Sequence, residues 1–282
     1  MSIIIQKVDS KRLDRKSVNN NNLEKEPDDL DAKNKDYQTE LSKTHLFNYI
    51  DLFDYQICFT YEFTLQESNY LKQSCQIGIL TGKWPKLYDE ELTQIMERLQ
   101  KHWLDGRYFI RFDSASPKDG EGNFPITNPK DLIMLLITSQ RSLASLSSGY
   151  RKLYFMEFNP EFDSKKEVRV FVKDNKVTCI SQYHWDEPCY FSKLNDDQLM
   201  ILAKNIINEV ELNLIPLITN KININNFTVD YLVKEDLTLK IIELNSFGYW
   251  LAAGSCLFNW IIDRNILYDK MNEQNVYFRI SV

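Results

Sequence analysis

The alternation of apolar and polar positions marks out a series of elements along the chain. Residues 55–65 (Tyr-Gln-Ile-Cys-Phe-Thr-Tyr-Glu-Phe-Thr-Leu) are rich in β-branched and aromatic side chains and partly alternate, which predicts a strand. Residues 75–81 predict a second strand. Over 88–104, Leu92, Ile95, Met96, Leu99 and Trp103 recur at helical spacing with Glu and Lys between them. A turn at Asp105-Gly106 then leads into an apolar strand over 107–112. Asn128 followed by Pro129 predicts a helix start, with Asn as cap and Pro at the first helical position. Strands are expected at 152–158, 167–173 and 176–184, the last two closing as a hairpin across Asp174-Asn175. Asn195-Asp196-Asp197 caps a helix whose apolar face carries Leu199, Leu202, Ile206 and Val210. Strands over 226–233 and 238–244 and a short helix over 255–262 complete the pattern. Helices mixed with antiparallel hairpins predict an α+β fold rather than a doubly wound sheet.

Residues 1–42 break the pattern. After Ile5 they hold few apolar residues, dense mixed charge and the run Asn19-Asn20-Asn21-Asn22. Such a stretch buries too little apolar surface to offset its ordering entropy, so a disordered tail is expected. The remainder is expected to divide into a domain over 43–265, with an N-terminal lobe over 43–105 and the larger part over 106–265, and a C-terminal extension over 266–282.

Composition narrows the classes. Of 282 residues, 43% are hydrophobic, ample for a packed core, and the net charge of −6 gives no global attraction for phosphate backbones, so nucleic-acid binding is not favoured. The five cysteines form no Cys-x-x-Cys pair and the three histidines no zinc-type spacing, which points to reduced thiols. No apolar run reaches the roughly 20 residues needed to cross a bilayer. The opening Met-Ser-Ile-Ile-Ile-Gln is too short for a signal-peptide core, so a cytoplasmic location is expected. Neither Gly-x-Gly-x-x-Gly nor Gly-x-x-x-x-Gly-Lys-Ser/Thr occurs.

Four stretches can carry chemistry. In Arg111-Phe-Asp113-Ser-Ala-Ser-Pro117-Lys118-Asp119-Gly120 a cation ends a strand and a second follows in a polar loop, which suits an anionic ligand; an ordinary surface loop is the alternative. In Glu167-Val-Arg169-Val-Phe-Val-Lys173 the alternation places Glu167, Arg169, Phe171 and Lys173 on one face, lining a cleft or simply facing solvent. Phe227-Thr-Val-Asp230-Tyr places a carboxylate inside an apolar strand. Ile241-Ile-Glu243-Leu-Asn245-Ser-Phe-Gly248 places Glu243 and Asn245 two apart, on one face. Two carboxylates and an amide oxygen on adjacent strands are hard ligands suited to Mg²⁺ held with phosphates. The alternative is a buried Asp230 paired with Arg169.

Taken in order, these stretches resemble the cell division cycle protein 123 family, a divergent branch of the ATP-grasp proteins. The resemblance covers about 88–260 and rests on Phe-Ile-Arg-Phe-Asp-Ser-Ala-Ser-Pro-Lys-Asp, Glu-Val-Arg-Val-Phe-Val-Lys, Phe-Thr-Val-Asp-Tyr and Ile-Glu-Leu-Asn-Ser-Phe-Gly. It implies an ATP-grasp fold with ATP held between two α+β lobes. Arg111 stands at the position of a phosphate-contacting lysine, and Asp119 ends the family's Ser-x-Pro-Lys/Arg-Asp motif. Arg169 matches an arginine expected to touch phosphates. Asp230, Glu243 and Asn245 match the family's Mg²⁺-binding Asp, Asp and Asn, and Tyr154, Phe155, Met156 and Glu157 the stretch along the adenine. The family assists assembly of eukaryotic translation initiation factor 2 by binding its gamma subunit, which makes that subunit the implied partner. The alternative is an ATP-grasp ligase acting on a peptide or RNA end, in which Lys118, Arg169 and His184 would face the acceptor.

Overall fold

A computed structural model describes residues 2–13, 17–18, 37–251, 253–270 and 274–282. In chain order its strands and α-helices are β1 (Ser2–Val8), α1 (Tyr37–Ser42), β2 (Ile57–Glu62), α2 (Leu65–Thr81), α3 (Asp89–Gln100), β3 (Tyr108–Phe112), α4 (Pro129–Ile137), α5 (Gln140–Ser147), β4 (Lys152–Glu157), β5 (Glu167–Lys173), β6 (Lys176–Gln182), α6 (Asp196–Asn208), α7 (Ile215–Ile222), β7 (Phe227–Val233), β8 (Leu239–Ser246), α8 (Arg264–Leu267) and β9 (Asn275–Ser281). The architecture is α+β, as expected. Contacts gather these elements into two compact units, Asp54–Pro160 and the combination of Met1–Phe53 with Glu161–Val282. Strands from both chain ends join one sheet in the second of these.

The unit Asp54–Pro160 is built on a three-stranded antiparallel sheet ordered β2-β4-β3. Helices α2, α3, α4 and α5 pack together beside it, and Leu71, Leu92, Ile95, Leu99, Leu132, Leu136 and Phe155 join one core. The strand expected over 75–81 is the second half of α2. Thr64 and Glu67 form a capping box at its start, and Gly82 closes it in a left-handed conformation. Gly78 lets α2 run against α4, since a Cβ there would stand 2.4 Å from the Ile137 carbonyl oxygen. Asn128 and Pro129 start α4 as expected.

The other unit contains a six-stranded mixed sheet ordered β1-β9-β6-β5-β7-β8. The β5–β6 hairpin turns at Asp174-Asn175, both with positive φ, as a tight primed turn requires. A capping box of Asn195 and Gln198 starts α6, which runs through a π-helical segment, Glu209–Leu214, into α7. β5 is buried along almost its whole length, so it does not alternate between core and solvent. On its Phe171 face, Phe247, Phe258 and Trp260 cover the strand and form a second core with Cys179 and Leu267.

Three expectations are set against the structure here. The tail expected over 1–42 begins instead with β1, which pairs in parallel with β9 from Ser2↔Asn275 to Val8↔Ser281, while residues 19–36 lie outside the described residues. The run Ile3-Ile4-Ile5 has apolar side chains to bury, and β9 supplies the partner backbone. Within the extension expected over 266–282, Asn275–Ser281 lies in the sheet as β9. The helix expected over 255–262 is a series of turns, and helix appears only at α8. Asn259 accounts for this: its Oδ1 accepts from the amides of Ile261 and Ile262, a local bond that competes with helix formation.

Candidate functional site

The antiparallel order β5-β7-β8 brings three of the motifs side by side. Arg169 lies opposite Asp230, Asp230 opposite Glu243, and Thr228 opposite Asn245. The β7–β8 register shifts between Asp230 and Tyr231, leaving Ile242 as a bulge immediately before Glu243. Period 2 from there keeps Glu243 and Asn245 on one face with Thr228 and Asp230.

Asp230 is completely buried and Arg169 nearly so. They form a two-pronged pair, Nε to Oδ1 and Nη2 to Oδ2, both at 2.7 Å. Arg169 Nη1 also donates to the Gly254 carbonyl at 2.7 Å, and its guanidinium lies 5.1 Å from the Tyr183 ring centre. Burial alone would push the Arg169 group down, but the Asp230 charge and its hydrogen bonds outweigh that and hold it well above its usual value. Asn245 Nδ2 donates to Asp230 Oδ2 at 3.1 Å and to Glu243 Oε1 at 3.3 Å. The Arg169 charge pulls the Tyr183 phenol down, yet burial and the carboxylates of Asp230, Glu167 and Glu243 prevail and push it up. Three carboxylates and one guanidinium thus act on the same phenol.

Of the two sequence alternatives for Asp230, the structure holds the pairing with Arg169. Asp230 is the buried counter-ion of Arg169, and it also stands next to Glu243 and Asn245. Among the described residues no group of three or more His, Cys, Asp or Glu side chains is arranged to hold a metal. A Mg²⁺ ion here would take the Glu243 carboxylate, the Asn245 amide oxygen and phosphate oxygens of a ligand, with Asp230 contributing what Arg169 leaves. Such a set, with one or two carboxylates, matches how Mg²⁺ is commonly held beside phosphates. The donors present fit the ion on that basis.

The remaining predicted residues, His184 apart, belong to the unit Asp54–Pro160. Arg111 is buried on β3, opposite Tyr154 on β4, and its Nε donates to the Phe112 carbonyl at 3.3 Å. Tyr154 donates its hydroxyl to buried Asp113 at 2.7 Å, and Lys152 Nζ stands 5.0 Å from the Tyr154 ring centre. Phe155 is a core residue stacked on Phe59, and Met156 is almost as buried. Glu157 is exposed, and its backbone amide donates to Gln56. Asp119 accepts from the Ser139 hydroxyl and from the Arg141 amide, which anchors the start of α5. Lys118 is exposed, 5.7 Å from the Phe109 ring centre. His184, in the other unit, has Nε2 3.0 Å from the Ser164 hydroxyl.

Sequence reasoning passed over Thr228, Tyr183 and the Gly254 carbonyl. Period 2 in Phe227-Thr-Val-Asp was the signal for Thr228, while nothing local ties Gly254 to a strand 85 residues away.

Among curated proteins none matches the chain by sequence. Among solved structures, Cdc123 from Schizosaccharomyces pombe is similar at a TM-score of 0.55 and 16% identity, covering 86% of this chain and 97% of that one. A C-terminally truncated form of the same protein gives a TM-score of 0.60 at the same identity and coverage. The ATP-grasp ligase PsnB, solved with a precursor peptide and AMPPNP, is more distant, at a TM-score of 0.29 and 15% identity over 72% of this chain and 48% of that one. The likeness to Cdc123 shows the fold. The family model D123 matches residues 81–280, a span holding β3 through β8 and every predicted site residue. The chain belongs to the D123 family.

Proposed function

We propose that this chain binds ATP together with Mg²⁺, with Glu243 and Asn245 as the metal's protein ligands and Asp230 as a shared carboxylate. The observation that carries this reading is the face of β5, β7 and β8. Two carboxylates and an amide converge there, beside a guanidinium fixed by Asp230. Arg169 keeps N–H groups to spare beyond the bonds described, enough to meet a phosphate oxygen. When bound, the ion neutralises phosphate charge and draws the phosphates toward the acidic face. Arg111, Asp119 and the β4 stretch from Tyr154 to Glu157 are proposed on the nucleotide side, on the strength of the family resemblance. Calorimetric titration with ATP is expected to show saturable binding in Mg²⁺ and much weaker binding in EDTA. Equal binding in both would remove the metal from the account.

The family resemblance supports a role in assembling a multi-subunit partner, with the gamma subunit of translation initiation factor 2 as the client. Binding of ATP would favour the protein conformation that recognises it, through differential affinity for two states. Purified gamma subunit is expected to be retained by the immobilised protein more strongly with ATP and Mg²⁺ than without. No retention under either condition would exclude that client and leave the nucleotide proposal standing.

A further inference from the structure

A cavity of about 650 Å³ lies within the unit that carries the six-stranded sheet. Its walls come from α1 and the residues just after it, the β5–β6 turn, the loop 223–226, the stretch 246–251 and residues 264–270. That volume suits a small molecule. None of the residues proposed to hold ATP and Mg²⁺ lines it. Lys173 reaches it from β5, four residues beyond Arg169 and so about 13 Å along the strand. The buried Phe171 stands between the two on the same face.

The walls offer an excess of donors. Four cations, Lys43, Lys173, Arg264 and Lys270, line the cavity with three carboxylates, Glu40, Asp174 and Asp269. Lys43 is matched by Glu40 at 2.7 Å and Lys173 by Asp174 at 2.6 Å. The exposed Lys270 ammonium has no such match among the described residues. The Arg264 guanidinium lies 5.7 Å from the Tyr268 ring centre. Two asparagines add to the excess. Asn226 Oδ1 accepts from the Asp174 amide at 2.7 Å and Asn225 Oδ1 from the Asn175 side chain at 3.3 Å. Each thus spends its acceptor on the turn and keeps its NH₂ to donate. Trp250 brings a half-buried ring. Gly248, at φ 130°, lets that ring fold back over the chain, since a Cβ there would stand 3.3 Å from Trp250 Nε1 and 3.5 Å from the Tyr268 hydroxyl.

We propose that this cavity binds a small molecule carrying a phosphate group, with Lys173, Lys270 and the asparagine NH₂ groups on the phosphate oxygens and the organic part against Trp250. A phosphate ester presents three acceptor oxygens and a negative charge, which answers both the surplus cation and the surplus donors. A carboxylate presents two oxygens and leaves more of those donors idle. Asp269, which joins no described hydrogen bond or ion pair through its side chain, is placed to accept from a hydroxyl of the same ligand. The site is independent of the ATP and Mg²⁺ reading, because it shares no residue with it.

The test uses the full chain, with orthophosphate and phenyl phosphate as probes, each titrated by its ³¹P resonance with and without ATP and Mg²⁺. Phenyl phosphate is expected to bind saturably, more tightly than orthophosphate, and equally well in both conditions. Lys270→Gln is expected to weaken both probes about tenfold while unfolding at the wild-type temperature. Trp250→Leu is expected to weaken phenyl phosphate and leave orthophosphate within about twofold of wild type. Absence of saturable phenyl phosphate binding would overturn the inference, as would wild-type affinity in Lys270→Gln or equal affinity for the two probes. Competition between phenyl phosphate and ATP with Mg²⁺ would also overturn it, because the probe would then occupy the nucleotide's own site. None of these results removes the ATP and Mg²⁺ reading, whose failure is read from ATP binding itself.

Discussion

Asp230→Ala is expected to destabilise the unit that carries the six-stranded sheet by about 3–5 kcal/mol, the usual cost of leaving one partner of a buried ion pair alone. Arg169 would remain in place with its carboxylate gone, and its one other described hydrogen bond, to the Gly254 carbonyl, cannot balance a full charge. For a unit of this size, each kcal/mol moves the unfolding midpoint by about 2–4 °C, so a fall of roughly 10 °C is expected. Thermal unfolding followed by circular dichroism measures it. The pair itself need not be stabilising, because the desolvation of two charges offsets much of their attraction. The double change Arg169→Met with Asp230→Leu is therefore expected to recover most of the loss. If Asp230→Ala cost less than about 1 kcal/mol, the pair would be hydrated rather than buried.

Trp260→Ala is expected to cost a similar amount, about 3–5 kcal/mol, by a different route. The ring is fully buried, with centroids 5.4 Å from Phe171, 5.1 Å from Phe247 and 6.3 Å from Tyr268. Removing it opens a cavity against the β5 face that also carries Arg169. Its Nε1 donates to the Ala253 carbonyl at 2.9 Å, so truncation also strips that acceptor of a donor. Trp260→Phe keeps most of the packing and loses the hydrogen bond, and about 1–2 kcal/mol is expected. Urea unfolding of the two variants separates the cavity from the hydrogen bond. Equal losses in both would show that the indole N–H, not the ring, fixes the segment over the sheet.

The parts of the fold that could be read from sequence are those specified by near neighbours. The Asp174-Asn175 hairpin, the Asn128-Pro129 start of α4 and the cap at Asn195 each need only a few adjacent residues. Strands β1 and β9 were hidden because their partners, each other and β6, are distant in sequence, and averaging over 1–42 dilutes three isoleucines in polar chain. Helix α2 was half misread because Cys75, Ile77, Ile79 and Leu80 look β-like in isolation. The Thr64–Glu67 capping box was the better signal. Helix α5 went unread because its serines suggest loop, whereas Ser142 and Ser145 are buried.

The candidate site was legible as far as strand parity reaches. Asp230, Glu243 and Asn245 share a face because period 2 places them there and the ladder aligns them. Parity carries no information about who satisfies whom. The claim of Arg169 on Asp230, the cover supplied by Gly254 and the idle Thr228 hydroxyl follow from tertiary packing of the segment after β8, where local signals are weak.

The most direct test of the ATP·Mg²⁺ assignment is thermal unfolding of wild type and Glu243→Ala, each with ATP and Mg²⁺, with ATP and EDTA, and without ligand. Wild type is expected to gain about 2.7 kcal/mol when ligand stands at a hundredfold excess over its Kd, to lose most of that gain in EDTA, and to lose it equally in Glu243→Ala. An unfolding temperature of wild type unmoved by millimolar ATP and Mg²⁺, or moved to the same extent in Glu243→Ala, would contradict the assignment.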